Sequence, residues 1–571
     1  MRITHKISIY LLATLLGHYF PSKGQCQTLK FPVTEEGVYK ITAAQANSWG
    51  FGPISGISIF GKAGMLDQKL DTSFMEWKEV PSMEINGELF VFLSTADQVV
   101  PEERSYTFKP HIYTDTLYYL LRGRQSDPLR IAPEYSELDP DIGSISEASS
   151  WLMMQTYKQE AFNLLGSGRS WYGHRVLGGG QFSLSLTKPR GFSTGPSWIK
   201  AEMMAQSLSD SEFELIIDSN QSASLSLPSI PNSTYGIKGR EGTFLLSHPG
   251  SPSDELTLQF RYGSTDRNGT GYLKHIIAGF QVAFTEINSQ VVYRSPESES
   301  AKRLPIAAGG RLWDVSFSGN PIDRSSSKTA SAETWKMVVF APEAVPLISQ
   351  TSKADLSLLE SADFPEFIIV SPPLFLNQAN RLATFKRSRG LSTLVVTPSQ
   401  IYDGFGYGNR DITAIRNFIA SQYHQGKVLK NVLFFGKGTY DYKQITQGQP
   451  NLVPTYSSRS SLNPLTSYSS DDYFGFLDIG AGEWGENNAG DHQLRIGLGR
   501  IPATNVREAG EAVNKIIRYT TPSTTLGCWK SRIMLLADDG NNNIHLRDAE
   551  AHAAYLNNNY PEFSLDKIYL D

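Results

Sequence analysis

The run Phe367-Ile-Ile-Val-Ser371, closed by Pro372-Pro373, decides how the last third of the chain is read. Behind it, residues 376–390 place apolar side chains at Leu376, Ala379, Leu382, Ala383 and Phe385, and a β-branched run occupies residues 394–397. Apolar spacings of three and four belong to one face of a helix, and Gly390 stops it. A short unbroken apolar run fits a strand buried on both faces. The order is strand, helix, strand, and it repeats. Asp411 is placed to cap a helix carrying Ile412, Ile415, Phe418 and Ile419, and Asn431-Val-Leu-Phe-Phe435 follows as a buried strand. Such alternation predicts a mostly parallel sheet covered by helices, with clefts at the carboxyl ends of its strands. Chemistry is expected there, within residues 366–571.

Toward the C-terminus a long polar loop holds Ser469-Ser-Asp-Asp-Tyr-Phe-Gly475 and leads to Leu494-Arg-Ile-Gly-Leu-Gly-Arg-Ile-Pro502. A helix is expected to start near Thr504 or Asn505, with Ala509, Ala512, Val513, Ile516 and Ile517 on one face. Arg532-Ile-Met-Leu-Leu-Ala537 reads as another buried strand, ending at Asp538-Asp539-Gly540. A helix from His545 to about 557 and a strand Lys567-Ile-Tyr-Leu570 follow. These runs are expected to lie side by side in one sheet.

Toward the N-terminus the pattern is β. Residues 27–150 contain Val38-Tyr-Lys-Ile41, Ile57-Ser-Ile-Phe60 and Glu88-Leu-Phe-Val-Phe-Leu93 between Gly, Pro and Asp. Residues 151–341 alternate more cleanly, as in Phe213/Leu215/Ile217 and Leu256/Leu258/Phe260/Tyr262, which predicts sandwich sheets with one face buried. Residues 342–365 carry Pro342, Pro346 and Pro365 and read as a connector without regular structure. The 571 residues suffice for roughly three to four domains at about 150 residues each. With 40% hydrophobic residues and a net charge of −5, the chain can bury sizeable cores and offers no basic patch for nucleic acid.

Residues 1–26 read as an export signal: Arg2, His5 and Lys6, then an apolar core of residues 7–16. That core is too short to span a bilayer, and no transmembrane span follows. Cys26 lies at the expected cleavage region without the small apolar residues of a lipobox. Cys528 then remains, so no internal disulfide is expected.

Several groups carry candidate chemistry. Asp538 and Asp539 follow a strand, where acids can orient a catalytic His, receive a basic substrate group or ligate a metal; as readily, they cap the following helix and turn. Asp471 and Asp472, with Asp478 nearby, offer oxygen ligands of the kind calcium takes, although acids in turns commonly serve as caps. Cys528 precedes the strand 532–537 and so sits at its amino end, the wrong end for an active-site loop, which favours a partly buried structural thiol. His424, His492, His545 and His552 show no metal-ligand spacing, unless the last two meet two turns apart on one helix. Gly436-Lys-Gly438 lacks both the Walker pattern and the third glycine of a dinucleotide fingerprint, and Gly404, Gly406 and Gly408 read as a flexible loop before a helix.

The segments Phe435-Gly-Lys-Gly-Thr-Tyr-Asp441, Ser470-Asp-Asp-Tyr-Phe-Gly475, Gly499-Arg-Ile-Pro502 and Ala537-Asp-Asp-Gly540 resemble the gingipain family of cysteine peptidases. Among its members the sortase-like signal peptidases of the type IX secretion system fit best, because Gly37-Val-Tyr-Lys-Ile41 and Ser167-Gly-Arg-Ser-Trp-Tyr-Gly173 match as well. The resemblance implies a caspase-like α/β fold with a Cys nucleophile and a His base, at the outer membrane and cell surface. It also implies cargo proteins with a C-terminal sorting domain and other type IX components as partners. It places an acid near Asp538 or Asp539 beside the catalytic His, and structural calcium as a cofactor. The chain departs from the pattern at Lys437, where an acid is usual, and at His174, where Glu is common. It ends before the expected Gly-His-Gly turn and Cys, so the reading is the front part of a peptidase domain, inert alone. The alternative is an inactive exported scaffold or surface-binding protein.

Overall fold

The computed structural model describes residues 27–570, except 103–104, 134–144, 149, 191–196, 284–289, 295–300, 332, 362, 449, 487–491 and 522–524. The export signal expected over residues 1–26 lies outside the described residues.

The first β-rich unit centres on the antiparallel pair Thr28–Val33 and Leu117–Arg122. Ser58–Phe60 and Glu79–Val80 extend that sheet on one side, and Ser352–Lys353 closes it on the other. The connector is therefore not structureless. Its prolines leave room for that short strand and for the one-turn helix Ser357–Glu360, and Lys40 ties into it by donating from N to Pro346 O while its carbonyl accepts from Ile348 N. The second unit packs a ten-stranded sheet against the four strands Gln181–Thr187, Glu255–Ser264, Ser211–Ile217 and Gln221–Leu227. The predicted alternation holds: Phe213, Leu215, Ile217, Leu256, Leu258 and Phe260 are fully buried between the sheets.

The α/β region carries the site. Its elements are β1 (Phe367–Val370), α1 (Leu376–Ser388), β2 (Thr393–Val396), α2 (Pro398–Phe405), α3 (Ile412–Gly426) and β3 (Asn431–Phe435). There follow β4 (Tyr456–Ser457), β5 (Ser469–Ser470), β6 (Gly497–Ile501), α4 (Val506–Thr520), β7 (Arg532–Asp538), α5 (Gly540–Asn559) and β8 (Ser564–Leu570). The sheet runs β2-β1-β3-β6, all parallel, with Ile368 level with Leu394 and Val432, and Val432 level with Leu498. Asp411 caps α3 as expected, accepting from Thr413 N at 2.8 Å, and Ile412, Ile415, Phe418 and Ile419 are wholly buried. Each such side chain contributes about 1.5–3 kcal/mol through burial. One face of α3 covers the sheet. Leu70 and Tyr113 of the first β-rich unit join the same core.

Three sequence expectations need correction. The strands after residue 366 do not form one sheet: β7 and β8 pair in parallel with each other, apart from the four-stranded sheet. Nor is β7 buried on both faces, because Met534 and Leu536 are 63% and 64% exposed. An apolar run reports hydrophobicity but not how many faces are covered, and α5 lies on only one face of this pair. Between β2 and α3, the glycines 404, 406 and 408 read as a loop, yet α2 fills much of it. Thr397 and Gln400 form a capping box there, with Pro398 in the first turn.

Candidate functional site

The carboxyl edge of the four-stranded sheet is built around Arg500, at the end of β6. Beyond β3 the chain turns through Gly436-Lys437-Gly438 and stays tied to β6: Gly436 N donates to Ile501 O at 2.9 Å and Lys437 N to Ala503 O at 3.0 Å. A Cβ on Gly438 would stand 2.7 Å from Val453 O, so the close approach of the two loop arms requires glycine. Across this turn lies the Arg500 guanidinium. Its Nη1 donates to Gly436 O and Val453 O, each at 2.7 Å, and Nη2 to Pro454 O at 3.3 Å. Nε and Nη2 form a fork on Asp471, with both contacts at 2.7 Å, and the group lies over the Phe434 ring. Thr455 Oγ1 also donates to Asp471. A planar fork matched to a carboxylate fixes position as well as energy. One arginine thus binds the turn after β3, the segment leading into β4 and the turn after β5 into one edge.

Asp441 organises the rest of that loop. Wholly buried, it accepts from Ile445 N, Thr446 N and Thr446 Oγ1 at 2.7–2.8 Å. Asn451 Nδ2 reaches Thr439 O and Asp441 O, which closes the loop across its neck. Short acids in such turns replace the missing backbone partners.

The acids singled out for calcium do not converge. Asp471 is taken by Arg500 and Thr455, Asp478 receives Arg495 at 2.6–2.9 Å, and Asp472 opens the 3-10 turn Asp472–Gly475. Among the described residues no group of three or more His, Cys, Asp or Glu is placed to hold a metal ion. The donor set does not fit calcium, because an ion on Asp471 would have to displace an arginine.

Asp538 and Asp539 are exposed at the carboxyl end of β7. Asp539 occupies the cap position of α5, but its side chain makes no cap hydrogen bond; its backbone carbonyl receives Asn543 N at 3.2 Å. The first turn of α5 is unusual, since Asn541, Asn542 and Asn543 are all left-handed with φ of 55–60°. Asparagine tolerates that conformation best among residues with a Cβ. This places two carboxylates beside a tight, exposed asparagine turn at the end of a strand where α/β proteins build sites.

Cys528 lies in a 3-10 turn at the amino end of β7, as its position in sequence predicts, but it is exposed rather than partly buried. His545 follows the carboxyl end of β7, on α5, so the seven residues of extended chain, roughly 23 Å of strand, stand between the two in sequence. His424 contacts Leu477 O at 2.6 Å and His492 contacts Glu483 O at 2.9 Å; both serve packing. Arg500 and Asp441 carry the geometry of this edge, and residue-type reasoning passed over both. The available signal was the pair of motifs Gly499-Arg-Ile-Pro502 and Thr439-Tyr-Asp441.

The sequence profile of peptidase family C25 matches residues 361–571. A crystal structure of dimeric latent PorU from Porphyromonas gingivalis superposes with a TM-score of 0.73 at 21% identity, over 89% of this chain and 50% of that one. The chain thus spans about half the length of PorU as crystallised. A carbohydrate-binding module CBM36 in complex with calcium and xylotriose aligns at 12% identity over 21% of this chain and 97% of that one. CBM35 from Cellvibrio japonicus Abf62 aligns at 13% identity over 24% and 89%. Their TM-scores of 0.14 and 0.15 establish no shared fold. No curated protein sequence matches the chain. The fold along most of its length is PorU-like, and residues 361–571 are a domain of peptidase family C25, the gingipain family.

Proposed function

We propose that this chain provides the β-rich units and the leading part of the catalytic domain of an exported cysteine peptidase. Its task is to remove C-terminal sorting domains from cargo of a type IX secretion system at the cell surface. The observation that carries this reading is the PorU-like fold running through both β-rich units and the C25 domain, rather than the C25 match alone. In such a peptidase a thiolate attacks the scissile carbonyl, an imidazolium protonates the leaving amine, and the thioester passes its acyl group to water or to an amine. We assign to Asp538 and Asp539 the acidic side of the crevice, where a carboxylate can orient the imidazole or receive a basic side chain. Cys528 is not assigned as nucleophile, because it stands at the opposite end of β7. Among the described residues no helix is long and apolar enough to cross a membrane.

The test is the state of cargo C-termini. Deleting the gene in its own cell should leave cargo carrying its sorting domain, read by mass spectrometry of the intact proteins. Correctly trimmed cargo in the deletion strain contradicts the proposal.

A further inference from the structure

Two loops reach past each other where the sandwich meets the C25 domain. The first, from the sandwich, is pinched at its neck by reciprocal backbone bonds between Phe162 and Tyr172 at 2.8 and 2.9 Å. Asn163 holds its interior by bonding Ser167 N, Ser167 O and Ser170 O. Gly168, at φ +74°, bends the tip so closely onto Ser460 and Ser461 that any side chain there would collide with them. The tip delivers Arg169 into the C25 domain. Its Nε donates to Ser457 O at 2.6 Å, and its guanidinium lies 4.6 Å from the centre of the Tyr456 ring. Arg169 N and Ser170 N both donate to Ser461 Oγ, at 2.8 and 2.9 Å. Trp171 stacks on Tyr440.

The second loop is the hairpin formed by β4 and β5, and it returns the gesture. Leu462 packs among Tyr172, Met204, Tyr272 and Leu164 of the sandwich, and its carbonyl accepts from Lys238 N at 2.7 Å. At the base of this hairpin sit Thr455 and Asp471, the two residues joined to each other and, through Asp471, to Arg500. The tip is therefore held by the sandwich and the base by the carboxyl edge of the sheet. A two-residue strand pair between them has little stability of its own.

We propose that this reciprocal clasp, Arg169 into the C25 domain and Leu462 into the sandwich, sets the position of the Asp471–Arg500 edge, which makes the sandwich a positioning element of the peptidase site. Arg169 and Leu462 are positioning residues; neither touches reacting atoms.

Hydrogen-exchange mass spectrometry on the full chain tests the coupling. In Arg169→Ala, amides of residues 452–458 and 469–475 should exchange about tenfold faster, while β1 and β3 stay within about twofold of the wild type. Ser461→Ala, which removes one acceptor serving two amides, should give the same pattern at smaller size. Arg169→Lys should restore part of the protection, because it keeps the cation over Tyr456 and loses the Nε bond to Ser457 O. Unchanged exchange in the hairpin overturns the proposal. So does a loosened tip with wild-type rates at 469–475, or faster exchange throughout the chain in both Arg169→Ala and Ser461→Ala.

Discussion

Arg500 and Asp471 are both mostly buried, with side chains 15% and 19% exposed, so removing one leaves the other desolvated and unmatched. Arg500→Ala should therefore lower stability by about 2–4 kcal/mol, as breaking a buried pair does, measured by urea unfolding. Arg500→Lys should recover less than half, since an ammonium cannot fork onto Asp471 while donating to Gly436 O and Val453 O. His111 is the residue through which pH should act. It is 1% exposed, its Nδ1 accepts from Tyr113 N and Thr114 N, and Lys158 and Lys443 stand nearby. Burial first, and those two cations second, hold its pKa down to about 3. Between that value and its ordinary 6.5 the unfolded chain takes a proton that the native one refuses, so stability falls as pH falls through this window. From pH 6.5 to pH 5 the wild type should lose about 2 kcal/mol more than His111→Asn, whose amide oxygen can serve the same two donors. An equal loss in both would show that His111 does not govern the acid response. Neither role was legible in the sequence. Arg500 stands 29 residues from Asp471, and His111 titrates abnormally only because Lys443, 332 positions away, folds against it.

At the scale of elements, the helices declare themselves through caps and the sheets through burial. Thr397→Ala should destabilise by about 1 kcal/mol through loss of the α2 capping box, read by thermal or urea unfolding. The faces of β7 and α3 should respond in opposite ways. Met534→Lys or Leu536→Lys should change stability by less than about 0.5 kcal/mol, because both side chains are already in solvent. Ile415→Ala, in a core without slack, should cost about 2–5 kcal/mol. If Leu536→Lys instead unfolds the chain, β7 is covered on both faces as its sequence suggests. The strands β1, β3 and β7 look alike in sequence, as short apolar runs bounded by polar turns. What separates them is tertiary: β1 is covered by helices on both faces of its sheet, whereas β7 meets α5 on one. Local pattern identified α3 and α4 with their caps because those signals lie within a few residues. It passed over α2 because three nearby glycines outweighed Thr397-Pro-Ser-Gln400.

Across the whole molecule, the first β-rich unit, the sandwich and the C25 domain hold one another through polar anchors set in apolar cores. Lys158 and Lys443 share Asp115 and Glu160, which draws one residue set from each unit into a single network. Asn409 pairs through its amide with Tyr118 N and O, and Asp411 accepts from Leu66 N while it caps α3. Glu36 sits between Arg294 and Lys336; burial raises its pKa, but the two cations outweigh that and bring it to about 2. The order of the units could be read from the change of hydrophobic period near residue 366. Their mutual dependence could not, because all these anchors but the pairs of Lys158 with Asp115 and Glu160 join residues hundreds of positions apart.

If the β-rich units complete the core of the C25 domain, as Leu70 and Tyr113 do around α3, the chain should unfold as one body. Scanning calorimetry of residues 27–571 tests that dependence most directly. The expected result is a single transition, with intrinsic fluorescence and far-ultraviolet circular dichroism changing together. Two separated transitions, with helical signal lost independently of the β-rich units, would contradict it.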